Sequence, residues 1–108
     1  MKVYEVVVTD TALEALRKQA EYIAVEQQAP QTASKWLKRV LEKSESLASM
    51  PRRYPRALED RYRAYEIRAL VVSSFVLLFT IDEDAQKVVV IGARHGKSLP
   101  RPEQLPDD

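Results

Sequence analysis

Five successive apolar residues, Phe75-Val76-Leu77-Leu78-Phe79, constrain this chain more than any other feature. Side chains alternate across a strand, so an apolar run of this kind presents two apolar faces, and each must be covered. The run therefore predicts a central strand in a sheet with layers on both sides. The sequence supplies one such layer from two amphipathic helices. Leu13, Leu16, Ala20, Ile23 and Ala24 recur at helical spacing after a Thr9 or Asp10 cap, and this helix is expected to end near Gln28. Ala29-Pro30 breaks it, and proline is tolerated in the first turn of the next helix. That second helix carries Ala33, Trp36, Leu37, Val40, Leu41, Leu47 and Ala48 on one stripe and stops at Met50-Pro51. So short a connection predicts an antiparallel αα-hairpin whose stripes cover one face of the sheet. A partner, or a second copy of the chain, is the candidate cover for the other face.

Lys2 to Thr9 alternates and is rich in β-branched residues, which predicts a first strand. Tyr65 to Val72, Phe75 to Ile81 and Lys87 to Ala93 predict three more, joined by Ser73-Ser74 and by the turn around Asp82-Glu83-Asp84. The expected fold is α+β in the order β-α-α-β-β-β, a curved and mainly antiparallel sheet packed on the αα-hairpin. One domain is expected over residues 1–98. Residues 99–108, with Pro100, Pro102, Pro106 and a terminal Asp107-Asp108, are expected to form a mobile tail.

Composition excludes several kinds of chemistry. The 108 residues include no cysteine and a single histidine, His95, so thiol catalysis, disulfides and multi-histidine metal sites are ruled out. With only Gly92 and Gly96, no glycine-rich phosphate loop can form. No cofactor and no metal are expected. No apolar run approaches the ~20 residues that span a bilayer, and no signal peptide is apparent, so a cytoplasmic location is expected.

Net charge is +1, but its distribution is uneven. Arg52, Arg53, Arg56, Arg61, Arg63 and Arg68 stand against Glu59, Asp60 and Glu66, and the stretch from Gly92 to Arg101 carries Arg94, His95, Lys97 and Arg101 with no acid. Such a face is a candidate for an anionic partner, with a solvated surface as the equal alternative. Arg94-His95-Gly96-Lys97 leaves the last strand beside two glycines, which often mark a bulge. His95 there has the chemistry of a general acid or base. Arg68 is strand-borne and so rigidly aimed, which suits bidentate binding of a phosphate or carboxylate, although pairing with Glu66 is the competing role. Glu59 and Asp60 are expected as a helix cap or as loop ion pairs with Arg61 or Arg63. The candidate catalytic set is Arg68, Arg94 and His95, which requires the three to converge across an intervening strand. The candidate binding set is Arg61, Arg63, Arg68, Arg94 and Lys97.

Several segments, in this order and spacing, resemble the RelE/ParE toxin superfamily, in particular its ParE-like plasmid-stabilisation branch. They are Thr9 to Leu16 after strand one, Glu21-Tyr22-Ile23-Ala24, Ala33 to Leu37, Leu47-Ala48-Ser49-Met50-Pro51, Glu66-Ile67-Arg68, Phe79 to Asp82, and Val88 to Gly96 ending in Arg94-His95-Gly96. The resemblance covers about residues 3 to 99. It implies a toxin neutralised by a cognate antitoxin protein that lies over its surface. ParE-like members inhibit DNA gyrase, whereas RelE-like members cleave mRNA on the ribosome. The resemblance favours the gyrase branch through its helical-hairpin signature. The ribonuclease branch, in which Arg68, Arg94 and His95 would be catalytic, and a non-toxic antitoxin-binding relative are the alternatives.

Overall fold

The computed structural model describes residues 3–107. Met1, Asp108 and Lys2, where the alternating pattern begins, lie outside the described residues. Strand β1 spans Glu5–Val8, helix α1 Asp10–Val25, helix α2 Pro30–Glu45, strand β2 Arg68–Val72, strand β3 Phe75–Asp82 and strand β4 Lys87–His95. The local signals act as their chemistry dictates. Thr9 caps α1 by accepting the Ala12 N–H at 3.2 Å, and its own hydroxyl donates to the Val90 carbonyl at 3.1 Å, which ties the cap to the sheet. Pro30 opens α2. Gln28, at φ 51°, makes the turn between the helices.

The four strands run in the order β1-β4-β3-β2, with β1 parallel to β4 and the other pairings antiparallel. The fold is α+β, as the sequence predicts. β2 is shorter than the Tyr65 start suggested by pattern. Glu66 is drawn aside by Arg56 and Arg68, and the Ile67 N–H donates to the Asp60 carboxylate at 2.8 Å instead of to a neighbouring strand.

The doubly apolar strand lies inside the sheet, next to β4 and β2. On one face Phe75, Leu77 and Phe79 join Leu16, Val40, Leu47, Leu70 and Val88 under the hairpin, with Trp36, Leu37 and Leu41 packed against the edge of that cluster. On the other face Val76 and Leu78 join Ala57, Ile67, Ile91 and Leu105. This second cover is the chain's own, which corrects the expectation of a partner there. The loop before β2 folds back, with the Ala57 N–H donating to the Ile67 carbonyl at 2.8 Å, and it brings Ala57 and Ile67 over the sheet. Leu105 completes the cover. The segment expected to be a mobile tail packs against the sheet because one apolar side chain in it finds a socket above Gly92.

A β-bulge shapes that socket. Leu78 pairs with Gly92 while Phe79 pairs with Val90, so Ile91 is the extra residue on β4. The bulge resets the alternation, and Ile91 and Gly92 both serve the second face. A Cβ at Gly92 would stand 2.8 Å from a Leu105 methyl group, so any larger residue there would push that methyl aside.

Candidate functional site

The bulge also decides where the predicted site residues go. Beyond it, Arg94 pairs with Val76 and His95 with Phe75. Val76 belongs to the second face and Phe75 to the helix face, so Arg94 and His95 leave the sheet on opposite sides.

Arg94 is held in a bidentate ion pair. Its Nε donates to Glu59 Oε2 at 2.5 Å and its Nη2 to Glu59 Oε1 at 3.2 Å, with Glu59 only 1% exposed and Arg94 14% exposed at the side chain. The pair stitches the loop before β2 to the end of β4. Glu59 was expected to meet Arg61 or Arg63. It meets Arg94 because the second face carries it beneath the sheet, while Arg61 stays exposed and Arg63 is taken by the C-terminal segment. No feature of the local sequence announces a contact between residues 35 positions apart.

His95 sits edge-on to Phe75, 6.2 Å between ring centroids at 82°, and Phe75 is in turn edge-on to Trp36 at 5.3 Å and 87°. The Lys97 N–H donates to His95 Nδ1 at 3.2 Å. A neutral His95 therefore carries its proton on Nε2.

Arg68 opens β2, opposite Phe79, and Val76 is three residues further back along β3. Two strand spacings, about 10 Å, and three strand residues, about 10 Å, thus separate it from Arg94. Arg68 donates to the Tyr54 carbonyl at 2.6 Å, to the Arg52 carbonyl at 3.3 Å and to Glu66 at 2.6 Å. It clamps the loop at residues 52–54. Contrary to expectation, Arg68 does not join Arg94, His95 and Lys97 on one patch, because strand position separates it, and Arg94 and His95, as adjacent strand residues, point to opposite faces of the sheet.

Arg63 is likewise engaged. It donates to the carbonyls of Pro106 at 2.9 Å and Leu105 at 3.3 Å, and also to that of Pro102, so it holds the C-terminal segment over the sheet. The Tyr65 hydroxyl donates to Pro106 as well. Of the predicted binding residues, Arg61 and Lys97 are exposed and make no ion pair within the described residues.

One groove stands out beside these elements. It encloses about 930 Å³ between α1 and the segment after β4. Asp10, Glu14 and Lys18 line its α1 wall, Gly92 to His95 its floor, and Leu99 and Arg101 the opposite wall. Leu99 is 82% exposed there. Among the described residues no cluster of three or more histidines or acids is placed to hold a metal, and no helix is long and apolar enough to cross a membrane. A wide groove with a partly apolar floor and charged walls is suited to holding a peptide segment more than to gripping a small reactive group.

Solved structures place this architecture. The chain is similar to a structure of the chromosomal ParDE toxin–antitoxin system from P. aeruginosa, with a TM-score of 0.65 at 15% identity over 86% of this chain and 96% of that one. It is also similar to the toxin–antitoxin complex RelBE2 from Mycobacterium tuberculosis, with a TM-score of 0.61 at 24% identity over 88% and 93%. Both are likenesses of fold. No curated protein sequence is a significant match. The family itself follows from sequence. Residues 6–100 match the family of the ParE toxin of the type II toxin–antitoxin system parDE, and the chain belongs to that family.

Proposed function

We propose that this toxin-family chain acts by binding, in the manner of the ParE branch, with DNA gyrase as its target and a cognate antitoxin as its neutralising partner in the cytoplasm. The observation that carries this reading is the dispersal of Arg68, Arg94 and His95. Ribonuclease chemistry needs a proton-transfer group and charge-stabilising groups on one phosphate. Here the two arginines serve as internal clamps and the histidine lies on the other side of the sheet from Arg94. A binding toxin needs only an exposed surface, and Arg61, Lys97 and Arg101 remain free to meet acidic groups of a target. Its role in the cell is then plasmid or chromosomal stabilisation through the toxin–antitoxin pair.

The antitoxin is proposed to lay a segment in the groove along α1. The outer side of β2 is a second contact. The Ala69 N–H is taken by the Pro55 carbonyl, but beyond it Val71 is 64% exposed at an open sheet edge, where an extended segment can add a strand. Self-association through these surfaces is the alternative use.

The test is growth on induction with and without the adjacent reading frame, followed by gyrase supercoiling and mRNA-cleavage assays on the parent and on His95→Ala. Inhibited supercoiling that survives His95→Ala, with RNA uncut, is the expected result. RNA cleavage abolished by His95→Ala would establish the RelE-like alternative. Neither activity in the parent would leave an antitoxin-binding relative without toxicity.

A further inference from the structure

The hairpin is electrically two-sided. On or at the end of α1 the exposed acids Asp10, Glu14, Glu21 and Glu26 outnumber its exposed cations Arg17 and Lys18, whereas between Gln27 and Leu41 the chain has cations and no acid. On α2, Lys35, Arg39 and Lys43 are exposed and follow one another at a spacing of four, which places them in one row on the helix. The row is about 12 Å long, with one cation per rise of about 6 Å. Glu42 is its nearest acid on the helix and faces Lys38 at 3.9 Å. Glu45 lies roughly 160° around the helix from Lys43. No ion pair engages Lys35, Arg39 or Lys43 within the described residues.

The row runs on into the loop after α2. Arg53 lies over the Tyr54 ring, 4.9 Å from its centroid, and donates to the Tyr54 hydroxyl at 3.0 Å. That hydroxyl is a built-in probe of the local field. Its pKa is lowered, first by the hydrogen bond from Arg53, then by one from Ser46, and further by the charges of Arg53 and Lys43. Four cations thus line one strip, and none of them lines the groove.

What the strip lacks identifies its partner. Thr32 and Ser46 beside it are small and polar, and its aromatic member, Tyr54, is half-buried beneath Arg53 and not free to serve as an anchor. Protein interfaces draw their affinity from buried apolar and aromatic anchors. A phosphate backbone is bound by cations alone, through release of its counterions. We infer that Lys35, Arg39, Lys43 and Arg53 form a contact strip for a nucleic-acid phosphate backbone, without base readout. The inference is independent of the toxin reading, and it succeeds or fails whether or not gyrase is inhibited.

The test is fluorescence anisotropy of the full chain with labelled 20-nucleotide oligothymidine and with a 20-base-pair duplex, from 50 to 200 mM salt. Four contacts to the single strand predict a log–log salt slope of about −2.8, or about 50-fold weaker binding across that range. Lys35→Gln/Arg39→Gln/Lys43→Gln should leave a slope of about −0.7. The charge-matched control Arg17→Gln/Arg56→Gln/Lys87→Gln should keep the parent slope. All six side chains are exposed, and circular dichroism of each variant checks that the fold is retained; should the triple variant unfold, Arg39→Gln alone must lower the slope by one contact. Absence of binding to either oligonucleotide at 50 mM salt overturns the inference. So does an equal loss in the control, which would mean net charge alone, or competition by polyglutamate as strong as by oligothymidine, which would mean an acidic protein partner.

Discussion

Removing the Arg94 side chain tests how the whole second face is held. Arg94→Ala leaves Glu59, 1% exposed at the side chain, without its bidentate partner. Breaking one side of a buried pair costs about 3–5 kcal/mol, because the remaining carboxylate is both desolvated and uncompensated. The whole domain is expected to be worth only about 5–15 kcal/mol, so this one change removes a large share of it. At about 4–8 °C per kcal/mol for a domain of this order of size, the melting temperature should fall by more than about 12 °C. The measurement is urea unfolding of the parent, Arg94→Ala, Glu59→Gln and Arg94→Met/Glu59→Leu. The double variant replaces the pair by apolar groups and should recover most of the loss, since such replacements are often neutral or better. The cycle also separates structure from chemistry. If Arg94 served catalysis, Arg94→Ala would abolish activity with stability intact, and the double variant would not recover it. A loss under about 1 kcal/mol for Arg94→Ala, or a double variant as unstable as the two single losses added together, would refute the clamp.

Gly92→Ala should expel Leu105 from its socket at a cost of about 1–3 kcal/mol, the usual range for overpacking. Faster amide exchange or proteolysis at residues 99–107 would show it, and adding Leu105→Ala should relieve the clash. Phe79→Ala should cost about 3–5 kcal/mol by thermal unfolding, since the ring is fully buried between hairpin and sheet. Spectrophotometric titration should find the Tyr54 phenol ionising below the ordinary value of 10.0, and Arg53→Gln should move it upward. A pKa lowered by folding contributes stability above the unfolded value and loses it as pH falls through the folded one, so this contribution belongs to the alkaline side of the titration. Tyr4 behaves in reverse. The Glu83 carboxylate that accepts its hydroxyl raises its pKa, so Tyr4 should ionise above 10.0, and the contact is present below 10.0 and lost as pH rises through the raised folded pKa.

The element order was legible because the signals that encode it are local. Periods of 3.6 and 2, Thr9 as a cap, Pro30 at a helix start and the apolar run at 75–79 each depend on neighbours a few positions away. The site was less legible because its geometry depends on single-residue phase. The pattern Val88-Val89-Val90-Ile91 contains nothing to mark Ile91 as the extra residue of a bulge, although Gly92 beside it was a sign that one could occur. That one residue decides which face each of the adjacent Arg94 and His95 takes, and it sends Arg94 to Glu59. Leu105 was hidden for a similar reason. One apolar residue among Pro102, Glu103, Gln104 and Pro106 carries no periodicity, and its burial depends on a glycine on another element.

The arginines show why a charge count could not locate function. Arg52 is taken by Glu83, Arg56 by Glu66, Arg63 by the carbonyls of the C-terminal segment, Arg68 by the carbonyls of Arg52 and Tyr54, and Arg94 by Glu59. The loop between α2 and β2 has three short 3-10 turns and no regular sheet partner, so its carbonyls need donors that do not come from secondary structure. Arginine supplies several donors from one side chain and stays charged while doing so. The arginine density between Pro51 and Arg68 is therefore largely a means of holding an irregular segment in place. The exposed cations left over for a partner include the Lys35, Arg39 and Lys43 row with Arg53 at its end, Arg17 and Lys18 on α1, and separately Arg61, Lys97 and Arg101. Neutralising the α2 row should therefore change what the protein binds with little change in stability, whereas neutralising Arg63, Arg68 or Arg94 should change stability first.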